Sequence, residues 1–151
     1  MTATNHALTG ALIGLVVGQP VIAIPVAFLS HFVCDAIPHY GQTTENVWSK
    51  IFKVYLLIDA LLCVGLVGAL TYRHPVHWLL ASICAFLATS PDLYWIPRFT
   101  FGLRNHKPMK RDRIGKLLGS EGIQWFQRPI GAVVEVAWAV GAIVLLLPFV
   151  K

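Results

Sequence analysis

The sequence predicts an all-α fold, a multi-pass transmembrane helical bundle forming one domain over residues 1–151. Three observations carry that expectation. Hydrophobic residues make up 56% of the chain and charged residues 13%, with a mean hydropathy of +0.67, too apolar for an ordinary soluble domain of this size. Runs at about 51–72, 76–97 and 130–149 each approach the roughly 20 apolar residues that cross a bilayer as a helix. Eight of the twelve Lys and Arg residues fall between Arg98 and Arg128, an asymmetry of the kind that fixes topology.

The first apolar run, 7–37, is too long for one straight span and is interrupted by Gly18-Gln19-Pro20. Gly and Pro there predict two short helices, 7–17 and 21–37, joined by a turn. A helix over 7–17 is only about 16 Å long at 1.5 Å per residue, half a bilayer, so a re-entrant helical hairpin, its turn covered by protein, is expected ahead of the alternative, one tilted, kinked helix. No Lys or Arg precedes Lys50, so the basic start of a signal peptide is missing and the whole chain is expected to be retained.

Thr43-Thr44-Glu45 reads as a helix start with an acidic first turn, and the next helix is expected over 45–72 with Asp59 two turns inside its apolar part. Arg73-His74-Pro75 makes a turn. The following helix, 76–97, is opened locally by Pro91 in Ser90-Pro91-Asp92. The basic loop, 98–128, is expected to include a short amphipathic helix around 114–126, and the last span, 130–149, carries Glu135 in its second turn. The positive-inside rule puts the loop in the cytoplasm and the chain in the cytoplasmic membrane. With a re-entrant hairpin, the N-terminus lies on that side too.

Residues 31–39 hold two imidazoles and a carboxylate within and at the end of an apolar run. His31 and Asp35 stand four apart and share a helix face, and Pro38 ends the helix so that His39 lies at its mouth. Ionisable groups inside spans are functional candidates by default, and Asp35, Asp59, Asp92 and Glu135 lack basic partners within the spans apart from Lys53 at a mouth. Crowded carboxylates would repel one another into neutrality without a counter-ion. One or two divalent cations resolve this, with zinc first and iron or manganese suited to the same His and carboxylate ligands. His6, His31, Asp35, His39 and Asp92 are the candidate ligands, and Glu135 or Asp59 the candidate general base.

Lys107, Lys110, Arg111 and Arg113, with His106, could hold a phosphate-bearing substrate beside the metal. Membrane lipid or a lipid-linked phosphate is the expected partner, and nucleic acid is disfavoured because no nucleic-acid module is recognisable. His74, His77, Trp78, Tyr94, Trp95 and Trp125 read as interfacial residues. Cys34, Cys63 and Cys84 are dispersed through apolar segments with no CxxC pair, so they read as small core residues. Two other functions fit the buried acids. A proton or metal-ion pathway would require a homo-oligomer, since four hydrophobic elements are few for a transporter, and a non-catalytic scaffold would pair the acids structurally.

His6 before a small-residue apolar helix, the Ser30-His31 to Asp35 run ending in Pro38-His39, and Ser90-Pro91-Asp92 together resemble the YdjM-like family of small membrane-bound metal-dependent hydrolases. More distantly they are similar to the His and Asp helices of zinc-dependent phospholipase C. The resemblance covers the first 100 residues loosely. It implies a helical protein with a His and Asp metal centre and a hydrolytic activity directed at phosphoesters, and it carries over to His6 and Asp92. The family continues its Pro-Asp motif with a further Asp and His, where this chain has Leu93-Tyr94-Trp95, so the ligand set does not transfer there. Substrate does not transfer either.

Overall fold

The computed structural model describes residues 1–40, 50–94, 96 and 130–151. Within them the elements are α1 (Ala3–Val17), α2 (Pro20–Ala36), α3 (Lys50–Arg73), α4 (Trp78–Thr89), a 3₁₀ turn (Ser90–Tyr94) and α5 (Gly131–Leu146). The all-α class is therefore met among the described residues. The expected basic loop, the amphipathic helix expected at 114–126 and the helix start expected at 43–45 lie outside them.

α1 is the axis: α2, α3, α4 and α5 all pack on it. From Gly10 on its sequence is apolar all round, which suits a helix surrounded by others. The α1–α2 turn follows from two residues. Gly18 takes φ +63° and donates its N–H to the Gly14 carbonyl at 3.3 Å, the left-handed cap that glycine adopts without steric penalty. Pro20 then opens α2 at a position where its missing N–H is not needed. At the other end Ile37 turns extended, ψ 146°, as a residue before proline prefers, and α2 stops ahead of Pro38.

Three ladders of small residues, each stepping by four, set the packing. His6, Gly10 and Gly14 form one on α1, and Ala23, Ala27, His31 and Asp35 form a second on α2, all of them buried. Cys84 and Ala88 form the third on α4, and it runs on to Asp92 in the 3₁₀ turn. Small residues let two helix backbones approach closely. A Cβ on Gly14 would stand 2.5 Å from Ala81 Cα, and one on Gly10 would stand 2.7 Å from the Cys84 carbonyl carbon. The backbones of α1 and α4 thus nearly touch. Each ladder ends in a polar residue, and all three end at the same end of the bundle.

At the opposite end the two turns meet. His74 and His77 both hold positive φ, 47° and 67°, in the turn that reverses the chain into α4. A Cβ on Gly18 would stand 2.8 Å from His77 Nε2. His74 and His77, read as interfacial, lie at the other end of the bundle from His6, His31 and His39.

Helix length departs from expectation. Phe52–Arg73, 22 residues, is the one helix among the described residues long and apolar enough to cross a membrane, and the other apolar helices run to 10–17 residues. Proline shortens them. α4 starts only at Trp78, after Pro75, and passes into the 3₁₀ turn at Ser90-Pro91, and α5 stops at Leu146, ahead of Pro148. A multi-pass topology is therefore not carried by helix length.

Asp59 has a definite structural task. Its carboxylate accepts the N–H groups of Ala3 and Thr4, both at 2.8 Å, and the Thr4 hydroxyl, so a residue of α3 caps the N-terminus of α1. An N-cap carboxylate satisfies donors that a helix leaves unpaired. Asp59→Ala should destabilise the protein by about 0.5–2 kcal/mol, read as faster amide hydrogen exchange at residues 3–5. Unchanged exchange there would show that the cap contributes nothing.

Candidate metal centre

His6 and His31 lie at equal distances from the α1–α2 turn, twelve residues before Gly18 and twelve after Gln19. An antiparallel hairpin with equal arms returns them to one level, about 18 Å from the turn at 1.5 Å per residue. The two rings stack, with centroids 4.1 Å apart and planes inclined by 25°. Asp35, one helical turn beyond His31, puts its carboxylate between them. Asp35 Oδ1 is 3.1 Å from His6 Nε2 and Oδ2 is 3.4 Å from His31 Nε2. His6, His31 and Asp35 are 0%, 0% and 3% exposed, and one ligand atom from each lies within 4.8 Å of the others. Such a group could hold a metal ion.

Protonation favours ligation. His31 Nδ1 lies 2.9 Å from the Ala88 carbonyl, which can only accept, so that nitrogen carries the proton and Nε2 of the neutral ring presents a lone pair. Neither His31 Nε2 nor either ring nitrogen of His6 has a hydrogen-bond partner, although all three are buried. The 3.1 Å approach of His6 Nε2 to Asp35 is thus a close contact without hydrogen-bond alignment: the nitrogen points beside the oxygen. Orphaned buried polar atoms carry a penalty of about 1–3 kcal/mol each, and these are clustered. The α-amino group of Met1 donates to Asp35 Oδ1 at 2.6 Å, so Asp35 already draws positive charge to that oxygen.

The remaining candidates fall into four groups. Asp92 borders the centre, with Oδ1 3.9 Å from His31 Nε2 and a side chain 35% exposed, and it is the most accessible of the four polar groups. His39 is buried but is not one of the three converging residues. Its Nδ1 donates to the Ile37 carbonyl at 2.8 Å, and its backbone packs so tightly on Gly131 that a Cβ there would overlap it. Burial, with the nearby α-amino group acting in the same sense, pushes its imidazole below the ordinary histidine range, while the Ile37 bond and the Asp35 and Glu135 carboxylates oppose this.

The two carboxylates expected as general bases are engaged elsewhere. Asp59 caps α1. Glu135 Oε1 accepts the Tyr40 N–H at 3.2 Å, and the Glu135 backbone carbonyl accepts Asn5 Nδ2 at 3.1 Å, which ties α5 to α1 and to the segment after α2. His106, Lys107, Lys110, Arg111 and Arg113 lie outside the described residues. Sequence reasoning misses the role of Ala88, whose carbonyl sets the His31 tautomer. The four-residue ladder through Cys84 and Ala88 is the signal that could have found it.

Comparisons of the chain with protein-family models, with curated proteins and with solved structures find no match.

Proposed function

We infer that the chain is an integral membrane, metal-dependent hydrolase acting on a phosphoester of a lipid or polyprenyl substrate near the cytoplasmic face. The observation that carries this reading is the cluster of imidazole nitrogens without an aligned hydrogen bond, buried against Asp35, with the accessible Asp92 carboxylate on its border. Buried imidazole and carboxylate groups that border an accessible carboxylate suit a catalytic metal site better than a closed structural one. A divalent cation there would supply water activated at neutral pH and would polarise a phosphoryl oxygen. Among the chain's own groups, Ala88 holds the His31 tautomer, Asp35 balances cationic charge, and Asp92 meets whatever approaches. The likeness of the His and Asp motifs to the YdjM-like family points the same way, and with no family model matching, the weight rests on the centre.

The membrane part of the reading is supported by exposure. In α3, 6% of the best apolar window is buried, whereas an apolar helix of a water-soluble protein hides its surface. Leu57, Leu61 and Val64 are 60–69% exposed, a surface that water does not tolerate over such an area. α3 would span, and the α1–α2 hairpin would enter and return on the same side, shielded by α3, α4 and α5. A crevice lined only by aliphatic groups, among them Leu8, Leu66, Leu70 and Leu146, offers hydrocarbon surface beside α1. The basic loop would stand in the cytoplasm and meet the headgroup.

Protein purified in detergent and stripped by a chelator should release phosphate from a polyprenyl monophosphate or a phosphatidate in mixed micelles only after zinc, iron or manganese is returned. Absence of release with every one of these ions would remove the hydrolase reading. Metal flux into proteoliposomes without product would replace it by translocation.

A further inference from the structure

We propose that the centre holds two divalent cations bridged by the Asp35 carboxylate, one on His6 and Asp35 Oδ1, the other on His31, Asp35 Oδ2 and Asp92 Oδ1. This rests on the metal-centre reading above and adds the number of ions and their ligands.

Ring orientation is the first ground. An imidazole lone pair lies in the ring plane. Two rings sharing one tetrahedral ion must aim their lone pairs at a common point from directions about 110° apart. His6 and His31 are stacked face to face, 4.1 Å apart and 25° from parallel, and both present Nε2 to the same carboxylate. Their lone pairs run side by side. Each ring addresses its own ion.

Distances are the second ground. Ligand atoms on one tetrahedral ion with bonds of about 2.0–2.1 Å lie about 3.3 Å apart. The pairs assigned to each ion measure 3.1 Å for His6 with Oδ1, 3.4 Å for His31 with Oδ2 and 3.9 Å for His31 with Asp92. Each carboxylate oxygen therefore faces one imidazole at the separation a shared ion imposes. His6 Nε2 also points beside Oδ1 rather than at it, as a ligand of an ion lying off the N···O line does.

Charge is the third. Two neutral imidazoles and two carboxylates leave two divalent ions with a net charge of +2, which suits a phosphate monoester dianion laid across both. The Met1 ammonium stands at Oδ1, on the His6 side, and an ion there would displace it or take it as a further ligand once deprotonated.

The experiment is metal stoichiometry on apo protein titrated with Mn²⁺, read by elemental mass spectrometry together with electron paramagnetic resonance. Wild type should bind two ions per chain and give the multiline signal of a spin-coupled pair. His6→Ala should fall to one uncoupled ion, and Asp92→Ala should bind its second ion more weakly. If either variant fails to fold, the wild-type stoichiometry and spin coupling decide alone. One uncoupled ion in wild type overturns the bridged pair and leaves the metal centre standing. No bound ion, with Mn²⁺ or with Zn²⁺ in a parallel titration, overturns both.

Discussion

Asp35→Ala is expected to abolish metal binding and to destabilise the protein more than loss of any other polar side chain in the bundle. Its carboxylate is 3% exposed, accepts the Met1 ammonium at 2.6 Å and faces His6 and His31. Removing one partner of a buried charge pair typically costs about 3–5 kcal/mol, because the other is left unpaired. Asp35→Asn keeps volume and one acceptor oxygen, so it should retain more of the fold while still losing the ions, since a neutral carboxamide balances no cationic charge. The two effects separate when metal content and the thermal midpoint in detergent are measured on both variants. Wild-type metal content in a folded Asp35→Asn protein would show that the carboxylate is not a ligand.

How far the sequence foretells this arrangement depends on the range over which each interaction acts. Local signals suffice for the hairpin, because Gly18 and Pro20 determine their own conformations, and for the end of α2, because Pro38 constrains Ile37. The pairing of His31 with Asp35 is likewise a consequence of helical periodicity. Periodicity stops at Pro38, and with it the basis for placing His39: the chain leaves the helix there and packs against Gly131, remote in sequence. Asp59 and Glu135 are open to misreading for a related reason. An acid in an apolar run looks unpaired until its partner is known, and their partners, the amides of Ala3 and Thr4 and of Tyr40, come from 55–56 and 95 residues away. Span lengths are overread because hydropathy runs on past Pro91 and Pro148, whereas the α-helices stop at Thr89 and Leu146. The small-residue ladders are visible in the sequence, but only the packed structure shows that all three run to the same end.

Those ladders carry the second large effect. Gly10→Leu should destabilise the bundle and also disperse the centre, whereas Gly68→Leu on α3 should do neither. The side chain added at residue 10 meets the Cys84 carbonyl and, at 2.8 Å, the Ala88 Cβ. Backbone atoms cannot rotate away as a side chain can, so α1 and α4 must separate, at a cost at or above the roughly 1–3 kcal/mol of ordinary overpacking. The separation also falls on the ligands. His6 moves with α1, while the Ala88 carbonyl that sets His31 moves with α4, so the 2.9 Å bond to Nδ1 and the stacking of the rings cannot both survive. A Cβ added at Gly68 would meet nothing within 4 Å, and leucine there gains about 1 kcal/mol of helix propensity over glycine. Side by side, the two variants distinguish a steric effect at the α1–α4 crossing from a general intolerance of bulk. A Gly10→Leu protein with the midpoint and metal content of Gly68→Leu would show that α1 and α4 do not cross where the ladders place them.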